Sequence, residues 1–361
     1  MTARQTSQLQ GELLKWFNTN RRSLPWRDTG DPYKVWVSEV MLQQTRVNTV
    51  IPYFERFIKK YPDVSALAAA DLQDVLKEWE NLGYYARARN LHRAAGILCE
   101  NSGGRIPDDY EAFCELPGVG EYIGSAVMSI AFGLPYAVVD GNVKRVLARL
   151  FGIDQPVNTS SAAKIFREHA DSLLRTRQPG DHNQAMMELG AIVCRPANPE
   201  CEVCPLSSWC EACRSSRQSD YPVRAARRKI PRYHIAIGVV QKGSSVLITR
   251  REPRGLLGGL WEFPGGKIHE GESGEAACAR EILEETNLSV RVVKHMAQVT
   301  HAYSHFQIIA DVYSCAYEAG DVRLGGPVDY RWVLADEIDD YPFPGANHKF
   351  IPLVKQQLKD C

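Results

Sequence analysis

Cys194, Cys201, Cys204 and Cys210 follow one another as Cys-x6-Cys-x2-Cys-x5-Cys. Thiolates this near in sequence can converge on one centre, and soft sulfur ligands select zinc or an iron–sulfur cluster over a hard cation. A single CxxC knuckle speaks against the ordinary two-knuckle zinc ribbon, and disulfides or unrelated buried cysteines are the plainer alternative. On ligand chemistry alone, zinc and a cubane cluster stand level. Upstream, Leu116-Pro117-Gly118-Val119-Gly120 precedes a helical stretch. Gly118 and Gly120 permit a tight turn there, and its backbone N–H groups can receive a phosphate. Asp140 opens a helix directly after the apolar Val138-Val139, which is first of all N-cap chemistry. Near the other end, Glu281, Glu284 and Glu285 fall at i, i+3 and i+4. A helix would gather these three repelling carboxylates, and a hard divalent cation such as Mg²⁺ would relieve them; an inherited acidic face in solvent explains the same residues without activity.

The elements that must position these groups change character along the chain. Its 361 residues, 44% of them hydrophobic, suit two globular domains. Helical periodicity covers 33–60, with Pro52 expected to break or restart the helix. It returns at 71–80, 85–100, 122–132, 142–151 and 161–175, and no strand-like alternation precedes residue 233. From there HIAIGVVQKGSSVLITRR gives two β-rich runs joined at Lys242-Gly243-Ser244, a hairpin signal. Between the halves, residues 214–233 carry seven Lys/Arg against one Asp, although the whole chain is formally neutral. That segment reads as a linker, solvated or lying along phosphates. The N-terminus shows no apolar leader and no stretch has membrane-spanning length, so a cytoplasmic location without membrane association is expected. Cysteines there are ligands or core residues rather than disulfides. Cys99, Cys114, Cys213, Cys278, Cys315 and Cys361 have no assigned role.

Taken in order, the hairpin, the VDGNV stretch and the four-cysteine loop resemble the helix-hairpin-helix superfamily of DNA glycosylases that carry a [4Fe–4S] cluster. The details resemble its adenine DNA glycosylase (MutY) family: LPWR at 24–27, YKVWVSEVMLQQT at 33–45, GYYARARNLH at 83–92, LPGVGEYIGSAV at 116–127, VVDGNVKRVLARL at 138–150 and NQAMMELGAIVC at 183–194. The resemblance implies that Glu39 is the general acid toward adenine N7 and later the base for water, and that Asp140 stabilises or traps the sugar cation. Two carboxyls, one protonated and one ionised, suit such glycosidic chemistry. Glu39 lies among Trp36, Val37, Val40 and Met41, so burial should raise its pKa. Tyr122 stands where bifunctional relatives carry a Schiff-base lysine, which implies a monofunctional glycosylase, and Asn142 orients the aspartate. Gln44 and Tyr84 match residues that fill the gap left by the flipped adenine, Arg22 and Gln184 match its pocket, and Leu116, Gly118 and Gly120 match the DNA-binding hairpin. The four cysteines are then ligands of one [4Fe–4S] cluster.

From Gly266 the sequence fits G-x5-E-x7-R-E-U-x-E-E, with Glu272, Arg280, Glu281, Glu284 and Glu285, and resembles the Nudix box. Asn287 replaces a family glycine where a positive φ is needed. The expected architecture is multidomain: an all-α helix-hairpin-helix glycosylase domain over 1–213 with the cluster loop at 194–210, a basic linker over 214–232, and an α/β Nudix-like sandwich over 233–361. In this family the second domain reads 8-oxoguanine opposite the adenine through a loop corresponding to His301-Ala302-Tyr303-Ser304-His305, so Tyr303, Ser304 and His305 are expected to touch the lesion. The implied partner is duplex DNA with adenine opposite 8-oxoguanine or guanine, bound by a nucleoid-associated monomer. Weak Mg²⁺ binding at the box is expected. Hydrolysis of oxidised nucleoside triphosphates there is the alternative second activity, and a redox-sensing iron–sulfur protein without turnover is a third reading.

Overall fold

The computed structural model describes residues 1–226, 230–303 and 305–359. They form two compact units, one of residues 1–69 and 93–227, the other of 70–92 and 228–361. None of the described helices is long and apolar enough to cross a membrane.

The first unit is helical, as expected. Ala3–Asn20 packs Leu9, Leu13 and Phe17 into a core shared with Val146, Leu147, Phe166 and Leu189. Pro32–Leu42 is capped by Asp31, whose side chain accepts the Tyr33 N–H at 2.9 Å. Nearly every later residue of that helix is buried, so it runs through the interior rather than along the surface. The long helix expected over 33–60 does break, but at 43–46 and not at Pro52. Val47–Lys60 continues through Pro52. The proline is exposed, so the carbonyl it leaves unpaired one turn back can be met by water. The break falls instead at Gln44, which adopts φ +58°. Glu121–Ile130, Gly141–Phe151, Ser161–Leu173 and Pro179–Ile192 complete the frame around the site.

The second unit holds a mixed seven-stranded sheet: β1 Arg232–Lys242, β2 Ser245–Arg250, β3 Trp261–Glu262, β4 Gly265–Lys267, β5 Ser289–Ala302, β6 Gln307–Ala319 and β7 Asp329–Val333. β1 lies parallel to β6 and antiparallel to β2 and β4. The two-residue Gly243-Ser244 link closes the β1–β2 hairpin with Gly243 at φ +61°, as the sequence predicts. Alternation sets the layers. Ile237 and Val239 face one core with Val354 and Leu358 of the helix Ile351–Lys359, whereas Ala236 and Val240 face another with Ala277, Cys278 and Ile282 of the helix Gly274–Thr286. A sheet between two helices is the expected Nudix-like sandwich. Asn287 ends Gly274–Thr286 at φ +61°, taking the left-handed place of the missing glycine.

One segment departs from the sequence division. Residues 70–92 read as part of the helical half, yet they pack with the β-rich unit.

Candidate active site

Glu39 projects from the interior helix Pro32–Leu42 and is 4% exposed. Its carboxylate accepts the Tyr122 hydroxyl. Tyr122 is delivered by the glycine turn: Val119 N–H bonds Leu116 C=O at 3.0 Å, Gly118 bends at φ +80°, and Gly120 opens the helix Glu121–Ile130. No side chain caps that helix, which leaves its first amides to an outside acceptor. Burial raises the Glu39 pKa to about 7, helped by the negative charge of Asp140 and opposed by the Tyr122 hydrogen bond and Arg27. The same burial pushes the Tyr122 hydroxyl well above its ordinary value, so it stays a donor.

Asp140 caps Gly141–Phe151, and that cap also shapes the site. One carboxylate oxygen accepts Val143 N–H at 2.7 Å, the other Asn142 Nδ2 at 3.1 Å. Burial raises its pKa, while these bonds and Arg145 favour the anion. Arg145 Nη2 holds Asn142 Oδ1 at 2.8 Å, and its Nε reaches the Cys194 carbonyl at 2.8 Å. Gly190 lets two helices approach here, because a Cβ would lie 2.6 Å from that of Asn142.

A cavity of about 130 Å³ is lined by Glu39, Tyr122, Asp140, Asn142, Arg22 and Gln184, bringing together six residues expected at the base pocket. It is also lined by Glu188, which sequence reasoning did not single out. Glu188 is 1% exposed and accepts Arg22 Nε at 2.8 Å, Arg22 Nη2 at 2.7 Å and Arg27 Nη2 at 2.7 Å. Burial alone would raise its pKa, but bonds from Arg22 and Arg27 outweigh that and hold it at about 2. The available signal was an acidic residue inside the otherwise apolar run AMMELGAI. Gln44 is exposed at the strained turn after the Glu39 helix.

Cys194, Cys201, Cys204 and Cys210 line one small pocket, joined by Cys213. Burial lifts the Cys204 thiol to about 12 and the Cys210 thiol to about 11, and the neighbouring cysteines add to both. Bare thiolates are therefore disfavoured, and a cationic centre would be needed to hold them ionised. Among the described residues no three His, Cys, Asp or Glu side chains converge on a single-ion position. Four thiols gathered at one pocket are the soft donor set that an iron–sulfur cluster or zinc takes. Arg149, 2% exposed, lies behind the loop and donates to Cys194 Sγ at 3.4 Å, Arg195 C=O at 2.7 Å and Pro196 C=O at 3.1 Å.

Residues 37–171 match the HhH-GPD superfamily of base excision DNA repair proteins, and residues 236–353 match the NUDIX domain. The human adenine DNA glycosylase is 34% identical, over 91% of this chain and 70% of that protein. The rat enzyme is 36% identical, over 90% and 73%. The chain belongs to the adenine DNA glycosylase family. A thermostable thymine-DNA glycosylase structure superposes with a TM-score of 0.54 at 32% identity, over 59% of this chain and 98% of that one. An endonuclease III–DNA covalent intermediate, 24% identical with a TM-score of 0.51 over 60% of this chain and 99% of that one, shares the fold. This adenine DNA glycosylase homologue is thus a monofunctional base-excision-repair enzyme acting on DNA.

In the second unit the glycosylase departs from the expectation of a bare acidic trio. Arg280, on the same helix as Glu281 and Glu284, donates to Glu272 Oε1 at 2.8 Å, Glu272 Oε2 at 2.9 Å, Glu281 at 2.9 Å and Glu284 at 3.3 Å. Glu285 turns away to accept Gly265 N–H at 3.1 Å, and burial together with the charges of Glu262 and Glu281 raises its pKa to about 8. Tyr303 is half-buried. Its ring stacks on Phe306 at 4.9 Å and packs against the core, and burial lifts its hydroxyl to about 12. His305 is exposed, while Ser304 lies outside the described residues.

Proposed function

We propose that the enzyme releases adenine opposite 8-oxoguanine, or opposite guanine, from duplex DNA. The observation that carries this is one small cavity with two buried carboxyls, one hydrogen-bonded to Tyr122 and poised at a pKa of about 7. Glu39, protonated near neutrality, donates its proton to adenine N7 as the C1′–N9 bond breaks and the bonding pair leaves with the base. Asp140, favoured as the anion by Val143 N–H and Asn142, stabilises the positive charge left on the sugar or traps it covalently. Glu39, now a carboxylate, takes a proton from water as the water oxygen bonds C1′, and where Asp140 has trapped the sugar its bond to C1′ breaks and the carboxylate leaves with the bonding pair. Arg22 and Gln184 contact the extruded base, with Glu188 fixing Arg22. Gln44 and Tyr84 fill the vacated stack, and the hairpin Leu116, Gly118 and Gly120 holds the backbone phosphates.

Cys194, Cys201, Cys204 and Cys210 would hold one [4Fe–4S] cluster, which supplies a rigid DNA-facing loop. Residues 1–213, apart from 70–92, form the excising part, 214–232 the linker, and 233–361 together with 70–92 the part that reads the opposite base through Tyr303, Ser304 and His305. The Nudix box takes no part in hydrolysis, and the pairing of Arg280 with Glu272, Glu281 and Glu284 supports that. The enzyme works as a monomer on chromosomal DNA. Incubating it with a duplex holding one adenine opposite 8-oxoguanine should yield strand scission only after alkali. Scission without alkali, or none with it, would contradict the proposal.

A further inference from the structure

Within the second unit, residues 341–349 run between two features expected to face the opposite base. On one side lies the turn that presents Tyr84, 37% exposed. Asn81, Gly83 and Tyr84 all take left-handed φ values, +68°, +78° and +50°. Such a turn persists only where its surroundings over-determine it. Trp79 Nε1 and Arg87 Nη2 hold the Gly83 carbonyl at 3.1 and 2.9 Å. Tyr85 Oη ties the Asn81 amide to the Phe343 carbonyl at 3.2 and 3.3 Å. Glu80 adds the main anchor. It accepts Phe343 N–H at 2.9 Å and Lys77 Nζ at 2.7 Å and lies 3.2 Å from His348 Nε2, while Lys77 also reaches the Tyr341 carbonyl at 3.1 Å.

On its other side the same segment meets the end of β5 and the residue after it, Tyr303. Lys349 Nζ donates to the Thr300 carbonyl at 2.6 Å. Gly345 lies against the His301 ring, which a Cβ there would approach to 3.2 Å, and the Ala346 amide meets the Tyr303 hydroxyl. The segment itself is firmly seated: Phe343, Ala346 and Asn347 are buried, and Pro342 C=O accepts Trp261 N–H at 2.9 Å.

We infer that residues 341–349 are a strap that fixes the Tyr84 turn relative to the end of β5 and Tyr303, and that Glu80 is the positioning residue that holds it. The consequence for opposite-base preference rests on the lesion-reading role given above. Amide exchange of the full-length enzyme tests the strap, and the ratio of excision opposite 8-oxoguanine to excision opposite guanine tests its consequence. Glu80→Ala should speed exchange over 300–306 by roughly tenfold, through the loss of its bonds to the strap. It should lower the ratio roughly fivefold while leaving excision opposite guanine within about twofold. Glu80→Gln, which keeps an acceptor for Phe343 N–H, should restore most of both. Lys355→Met, which breaks the Lys355–Asp339 pair away from the strap, should move neither. From the far end, Lys349→Met should speed exchange at 81–85, which keeps the test open if Glu80→Ala folds poorly. Unchanged exchange at 300–306 in folded Glu80→Ala, or at 81–85 in Lys349→Met, overturns the strap. Faster exchange with an unchanged ratio supports the strap and contradicts the lesion-reading role instead.

Discussion

Glu39 and Asp140 in the first unit, and Glu272, Glu281 and Glu284 in the second, are clusters of the same residue types placed in different company. The first pair is buried and held by a phenol, a backbone amide and an asparagine amide, all neutral donors. The second set surrounds the guanidinium of Arg280. Neutral donors in a dry site leave a carboxyl able to exchange a proton near neutrality, whereas a guanidinium at hydrogen-bond distance keeps it ionised and occupied. The Glu272 carboxyl is accordingly held at about 2, chiefly by Arg280, against about 7 for Glu39. An acidic cluster is therefore a catalytic candidate according to what donates to it, not according to how many carboxylates it contains.

The largest expected break in this contrast comes from Asp140→Asn. Excision should fall by about 10³-fold or more with duplex affinity nearly retained, because charge opposite the sugar cation is lost and shape is kept. Glu284→Gln with Glu285→Gln should leave excision unchanged in the same single-turnover assay.

Glu188→Gln leaves two arginines in the pocket wall without their shared anion. With the Glu188 carboxyl lowered from 4.5 to about 2, the loss is about 3 kcal/mol of stability at pH 7. A lowered carboxyl pKa contributes stability above pH 4.5 that fades as pH falls toward 2. Melting curves of the two proteins should therefore converge across that window.

Glu39→Gln has the opposite sign. A carboxyl raised from 4.5 to about 7 contributes stability that is full below pH 4.5 and lost as pH rises through about 7. The non-titrating variant should gain on the wild type across that range, by up to about 3 kcal/mol at pH 8. It should also be inactive in excision. A smaller effect is expected at Arg280→Gln: freeing three carboxylates should raise Mg²⁺ affinity at that site above that of the unaltered enzyme, read by calorimetry.

Much of this was legible beforehand where chemistry is local. The Gly118 turn, the Asp140 cap, the Gly243-Ser244 hairpin and the left-handed Asn287 follow from backbone rules that act over a few residues. Glu188 and Arg149 were not legible, because a buried charge in a helical sequence declares itself only through partners far along the chain, 166 residues away for Arg22 and Glu188. The same limit hid the affiliation of 70–92. Its local pattern is helical, but Gln73 bonds Trp261 Nε1 at 2.9 Å and Arg89 bonds the Gly258 carbonyl at 2.7 Å. Arg280 is legible only as part of a motif, since its hold on Glu272 eight residues earlier requires the loop to fold back on the helix.

Excision of adenine by Glu39 and Asp140 acting together can be tested directly. The most direct test is single-turnover release of free adenine from a duplex with one adenine opposite 8-oxoguanine, measured for the wild type, Glu39→Gln and Asp140→Asn from pH 5 to pH 9. Release by the wild type that declines above about pH 7, with neither variant active at any pH, is the predicted result. Adenine release by either variant at a rate near that of the wild type would contradict it.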